Sequence, residues 1–250
     1  TTLSYTFTGL ATNTRYYFLV AAVSSTNTAT STAATSTETY TLADIPGIAT
    51  IATTTITSLS ITINSIGNPV VSTTYAIYNT TSLNYLAADG SATASPVWQN
   101  TSTWGSSFAA IGLATNTLYQ FVVIARNGAN TTTATSTASV YKYTLAAQPN
   151  LPTTNTSTIT TLGPIIDVTG NSPTTTYAIF NTTTLNFLAA DGSSAGLSPV
   201  WQTTSTWGAN FLATGLATNT LYQFVVVARN GNNTTTATST ASVYKYTLAA

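Results

Sequence analysis

The residues able to do chemistry are few. The chain has 250 residues, with five carboxylates (Glu38, Asp44, Asp89, Asp167 and Asp191) and five bases (Arg15, Arg126, Lys142, Arg229 and Lys245). It has no His, Cys or Met. Lacking His and Cys, it holds no ligand set for zinc, haem or an iron–sulfur cluster, no thiolate nucleophile and no His-based triad. Hydrolysis by paired acids needs two carboxyls about 5–10 Å apart. Asp89 and Asp191 stand at equivalent places in two copies of a repeat, so they do not form such a pair. Each precedes a glycine, and Asp-Gly is a strong hairpin-turn signal. Calcium needs more oxygen ligands than these loops offer. An enzyme is the least supported class, and no cofactor or metal is implied. Five bases at zero net charge cannot track a phosphate backbone, which excludes nucleic acid as a partner.

Three other residue types bear on function. Trp98 with Trp104, and Trp201 with Trp207, offer flat apolar faces for stacking sugars. The competing reading puts them in the core, where large aromatics contribute most area, and it is the favoured one. Lys142 and Lys245 lie between tyrosines and read as solvent-facing or cation–π side chains; a Lys–Asn cross-link would also need a buried carboxylate beside it. Asn79, Asn100, Asn130, Asn155, Asn181, Asn232 and Asn233 stand in Asn-x-Ser/Thr sequons and are candidate glycan acceptors. Covalent sugar would help keep a weakly charged surface soluble.

The elements that must position these residues are β-strands in a repeat. Residues 74–90, TYAIYNTTSLNYLAADG, recur at 176–192. Residues 112–147, beginning GLATNTLYQFVV, recur at 215–250, and a third copy opens the chain at 9–43. A period near 100 residues is domain-sized, longer than a solenoid repeat. The period sets three segments: 1–43 as the last part of a domain, then 44–147 and 148–250 as whole domains. Tyr119, Phe121, Val123 and Ala125 alternate with Leu118, Gln120, Val122 and Ile124, a period of two. Gly67-Asn68-Pro69, Asp89-Gly90 and Asn127-Gly128 mark turns. About seven short strands per hundred residues predict a β-sandwich.

Composition fits that class. With 43% apolar residues and mean hydropathy +0.20 the chain can bury a core, so it is not disordered. No apolar run approaches the ~18 residues of a spanning helix, and the turn spacing fits a small sandwich better than a membrane barrel. No membrane insertion is expected. The start at Thr1 is expected to be that of a mature fragment. Thr, Ser and Asn richness with little charge predicts an extracellular or cell-surface location.

The run Gly112-Leu113-Ala114-Thr115-Asn116-Thr117-Leu118-Tyr119, continued by Phe121, Val123, Ala125, Asn127 and Gly128, resembles the fibronectin type III signature, as do 9–27 and 215–231. The surrounding Gly-Asn-Pro, Tyr-Ala-Ile, Ala-Asp-Gly and Trp-x(5)-Trp-Gly elements are similar to repeats of secreted bacterial surface proteins. The resemblance implies an all-β chain of tandem immunoglobulin-like (fibronectin type III) β-sandwiches, with Tyr119 as a corner tyrosine bonding back to the backbone. The family's strand-B Trp is replaced here by Ile61 or Ile63, so Trp98 and Trp104 are expected to restore its bulk. The implied roles are spacer, filament part, adhesive module or carbohydrate-enzyme accessory.

One feature departs from a solvated sandwich. With the Tyr side inward, Val122, Ile124, Val225, Val227, Tyr17 and Leu19 face outward, joined by Tyr78 and Phe180 from a neighbouring strand. An apolar outer sheet without charge at its edges invites association. These eight residues are the expected assembly interface, with the chain itself, or neighbouring domains of the same chain, as partner. The three strands expected in 1–43 leave a face for completion in cis or by strand exchange. The function so predicted is a structural repeat of an extracellular filament or surface layer. The alternative is an adhesin or carbohydrate-binding accessory module using Trp98 or Trp201.

Overall fold

The computed structural model describes residues 4–26, 30–53 and 55–250. It divides into two compact units. The first comprises Thr1–Ala52, Ser60–Ala110 and Gln120–Val140; the second comprises Thr53–Leu59, Ile111–Tyr119 and Tyr141–Ala250. The sequence period sets boundaries after 43 and 147, whereas compactness groups the tail of one copy with the body of the next.

In the first unit the β-branched and aromatic runs form an antiparallel sheet. Its order is Thr132–Thr135, Phe121–Arg126, Thr74–Asn79, Asn84–Leu86, Ala92–Thr93. Phe121 stands opposite Asn79 and Arg126 opposite Thr74. A second sheet orders Phe108–Ala110, Leu59–Asn64, Gly47–Thr53. Ala49, Ile51, Ile61 and Ala110 from the smaller sheet are buried, as are Tyr75, Ile77, Phe121, Val123 and Ala125 from the larger. The period-two pattern thus selects the inward face, as expected for half-buried strands.

The second unit repeats the plan. Thr176–Asn181 pairs with Phe224–Arg229 over six residues and also with Asn186–Leu188 and Gln202–Thr203. Thr153–Ser157 pairs with Leu162–Ile165, and Leu162 bridges to Ala213. Leu162 and Ala213 from this side share one core with Tyr177, Ile179, Phe224 and Val226 from the other, with Trp207 packed into it. Two sheets face to face over one apolar layer are a β-sandwich.

Two features were not legible as strands. Thr101–Trp104 and Thr204–Trp207 each form a single helical turn. Asn100 caps the first, its Oδ1 accepting from the Thr103 amide at 2.9 Å. One turn is too short to show a helical stripe, so periodicity cannot find it. Also, strands Arg15–Tyr16 and Leu19–Val20 pair with Thr39–Tyr40 and Ala34–Thr35. Among its described residues the first copy therefore shows four short strands where three were expected, because a break at Tyr17-Phe18 divides one of them.

Candidate assembly surfaces and repeat joints

The conserved turn of each copy is held from within. The Tyr119 hydroxyl accepts from the Ala114 amide at 2.9 Å, Tyr222 from Ala217 at 2.9 Å, and Tyr16 from Ala11 at 3.0 Å. This is the corner-tyrosine bond that the resemblance implies. Thr144 and Thr247 brace the same turn, donating to the carbonyls of Ala114 and Ala217 at 2.7 and 2.6 Å.

That turn presents an asparagine at positive φ: Asn13 at 39°, Asn116 at 42° and Asn219 at 47°. Asn tolerates this left-handed region better than other side-chain-bearing residues, at some cost. In the first unit Asn13 is buried. Its Nδ2 donates to the Thr73 hydroxyl at 2.7 Å, and its Oδ1 accepts from the Gly128 amide at 2.9 Å. Asn127 Nδ2 donates to the Thr41 carbonyl at 3.0 Å. Asn68 closes the joint by accepting from the Asp44 amide at 2.8 Å and donating to its carbonyl at 3.0 Å. A Cβ at Gly128 would collide with the Tyr40 ring, so only glycine admits that close approach.

The second unit builds the same joint from the next copy. Asn116 donates to Thr175 and accepts from Gly231, both at 2.9 Å, and Asn230 donates to the Thr144 carbonyl at 3.0 Å. Asn171 exchanges two bonds with Ala147, at 2.7 and 2.9 Å. Gly231 lies against Tyr143 as Gly128 lies against Tyr40. Sequence reading treated Asn68 and Asn127-Gly128 as turn punctuation and missed this role. The signal available was the recurrence of Asn-Gly and Gly-Asn at fixed repeat positions.

The expected interface residues are not uniformly open. Val122 is only 8% exposed, a correction to its place on a bare outer face: it stands opposite Tyr78 in the interior of the five-stranded sheet. Tyr78, Ile124, Phe180, Val225 and Val227 are half-buried, and Tyr17 and Leu19 are exposed. Part of the cover is aromatic. Tyr85 packs edge-on against Tyr78 at 4.8 Å between ring centres, and Phe187 against Phe180 at 4.9 Å.

The tryptophans separate into two roles. Trp104 and Trp207 are core, each indole donating to a backbone carbonyl, of Tyr75 and Tyr177, at 2.9 Å. Trp98 and Trp201 are half-buried, and the core expectation holds for neither of them. The guanidinium of Arg126 sits 4.7 Å from the centre of Trp98, and Arg229 sits likewise over Trp201. These cation–π contacts occupy one face of each ring.

The glycan expectation also needs correction at two positions. Asn79 and Asn181 are fully buried, with Oδ1 accepting from the amides of Thr81 and Ser82, and of Thr183 and Thr184. A sugar on either would have to lie within the sandwich. Asn130, Asn155, Asn232 and Asn233 are exposed, and Asn100 is half-buried as a helix cap.

Asp89 and Asp191 close turns, as read from Asp-Gly. Asp191 Oδ1 accepts from the Ser193 hydroxyl at 2.6 Å and its amide at 3.0 Å. The side-chain and then the backbone bond from Ser193 hold its carboxyl below the ordinary value, and Ser91 does the same for Asp89. Burial raises the phenols of Tyr75 and Tyr177, the latter to about 12. Among the described residues no three carboxylates converge. An open apolar recess of about 270 Å³, lined chiefly by Ile165, Ile166, Val168, Ile179, Trp207 and Phe211, has no charged group in its wall.

No family model matches the sequence, and no curated protein matches it. Two solved structures align with it at low identity. A two-domain fibronectin type III segment of chicken tenascin aligns with 81% of this chain and 98% of its own, at 13% identity and TM-score 0.45. The FN1–FN3 domains of chicken CNTN1 align with 81% of this chain and 67% of theirs, at 17% identity and TM-score 0.35. The strand order, the two-layer core and the corner tyrosine make this an all-β chain of β-sandwiches, with the corner bond that the resemblance to fibronectin type III implies.

Proposed function

We propose that the chain is a structural repeat of an extracellular filament or surface layer, with the sequence copies 1–43, 44–147 and 148–250 as its domains. The observation that carries this reading is the joint built twice from equivalent residues, Asn13 with Thr73 and Gly128, and Asn116 with Thr175 and Gly231. A loose linker makes no such set of bonds, and a side-chain amide bonded through both its nitrogen and its oxygen favours one geometry. Within each unit the tail of one copy is thereby fixed on the body of the next, a series arrangement that suits a load-bearing strand. Lateral contacts between strands use the partly exposed outer sheet at Tyr78, Ile124, Phe180, Val225 and Val227, together with Tyr17 and Leu19. Low charge makes these contacts tolerant of salt. No helix among the described residues is long and apolar enough to cross a membrane.

Electron microscopy of the native assembly tests this. The expected image is an ordered polymer in which Ile124 and Val227 lie against a neighbouring strand. The charged variants Ile124→Lys and Val227→Lys should abolish lateral association while leaving each sandwich folded. A monodisperse protein whose Ile124 and Val227 stay solvated would sink the reading. The second reading, a carbohydrate-binding or adhesive module, draws on the half-exposed Trp98 and Trp201. It predicts loss of sugar binding in Trp98→Ala.

A further inference from the structure

The left-handed Asn recurs three times but is used only twice. Asn219 repeats the local geometry of Asn13 and Asn116, with its amide donating to the Leu248 carbonyl at 3.0 Å as theirs donate to Leu42 and Leu145. Thr220, Thr247 and Ala217 form the same internal brace. Yet Asn219 is exposed, and no described residue hydrogen-bonds its side chain. The third tyrosine departs in the same way. Tyr143, packed on Gly231, is half-buried, whereas its counterpart Tyr246 is 57% exposed. Two residues away the counterparts Tyr141 and Tyr244 do not differ, at 57% and 59%.

We propose that Asn219, Tyr246 and the Thr247 carbonyl form a preformed docking surface for one further repeat of this same kind. The inference rests on the series arrangement proposed above. The occupant is specified by what fills the two equivalent surfaces. It must bring a Thr hydroxyl for Asn219 Nδ2, and an Asn-Gly turn whose glycine amide reaches Asn219 Oδ1 and whose Asn amide reaches the Thr247 carbonyl. It must have no Cβ at that glycine, or the Tyr246 ring is displaced. Both such turns of this chain, Asn127-Gly128 and Asn230-Gly231, are already engaged with Asn13 and Asn116. The first copy carries Ser24-Ser25 at the equivalent place, which supplies neither the amide nor the room. A second copy of the chain therefore cannot fill the surface from its first segment. Asn219 thus already holds the backbone conformation that Asn13 and Asn116 have in their joints.

The test extends the full chain by a second copy of residues 148–250 placed directly after Ala250, and measures chemical labelling of tyrosines in both chains. Labelling of Tyr246 is expected to fall in the extended chain to the level of Tyr143, its half-buried counterpart in the filled joint. Tyr244 serves as the unchanged control. Asn219→Ala in the extended chain should restore Tyr246 labelling, and the same change in the parent should alter nothing. Equal labelling of Tyr246 in the two chains overturns the proposal. So does a parent chain that dimerises in sedimentation with Tyr246 protected, because the occupant would then be a different surface. Tyr143 separates the two levels of argument. If Tyr143 is protected and Tyr246 is not, this inference alone fails; if Tyr143 also labels freely, the series arrangement fails with it.

Discussion

The indole nitrogen of Trp207 donates to the backbone carbonyl of Tyr177 at 2.9 Å, and Trp104 makes the same bond to Tyr75. Each indole lies edge-on to a phenylalanine, at 4.5 Å for Phe211 and 4.3 Å for Phe108. A one-turn helix thus carries the tryptophan that fills the core of each sandwich. Removing it should be severe. Trp207→Ala is expected to cost about 3–5 kcal/mol, measured by denaturant unfolding. Trp207→Phe should cost less, the unpaired Tyr177 carbonyl adding about 1–3 kcal/mol to a small packing loss.

The hydroxyls of Tyr75 and Tyr177 are buried without a hydrogen-bond partner among the described residues. Deleting an unsatisfied buried group removes a desolvation cost rather than a bond. Tyr177→Phe is therefore expected to be neutral or to stabilise by up to about 1–2 kcal/mol. A marked fall in thermal midpoint would show that this hydroxyl finds a partner in solution.

Stability should be flat across neutral pH and fall in acid. The sequence has no His and no Cys, and His is the one side chain whose ordinary pKa places its titration between pH 5 and 8. The carboxyls of Asp89, Asp167 and Asp191 are held below the ordinary value, chiefly by Ser91, Thr169 and Ser193 hydroxyls. A depressed folded pKa contributes stability that is fully present above the unfolded value, about 3.9, and is lost as pH falls through the folded one. Asp89 and Asp191 are exposed and Asp167 is half-buried, so the loss should be small. Thermal melts from pH 9 to 2 check this, and Asp191→Asn should flatten the acid limb.

The joint can be weakened without touching a core. Asn116→Ala removes two hydrogen bonds, to Thr175 and from Gly231, and leaves a left-handed residue with a worse side chain for it. Each bond contributes about 0.5–1.5 kcal/mol, so the joint should open while both sandwiches persist. The expected result is faster amide exchange at Gly231, with unchanged exchange in the strand Phe224–Arg229. Uniform loss of protection in both places would mean that the joint and the core unfold as one.

Gly231→Ala offers a steric route to the same end. The added Cβ meets the ring of Tyr143. It should displace Tyr143 and raise its exposure, read as a rise in its labelling, with a cost of about 1–3 kcal/mol from the overpacked contact.

Sequence alone determined the parts that depend on local period and turn chemistry. Alternation in Phe121–Arg126 chose its inward face, Asp89-Gly90 set a turn, and repetition gave the copy length, because each is written in neighbouring residues. Tertiary structure decided what depends on residues far apart in the chain. Trp98 and Trp104 are six residues apart and look alike in sequence, yet one lies under Arg126 and the other in the core. Asn79 reads as a sequon and is buried by its sheet. Ser136 and Ser139 are buried in a Thr-rich stretch that reads as solvated, because their hydroxyls accept the amides of Val123 and Phe121 at 2.9 and 3.0 Å. Asn13, Asn116 and Asn219 share one motif, and only the presence or absence of a packed neighbour distinguishes them. A short polar side chain has no local signature for burial; its partner decides.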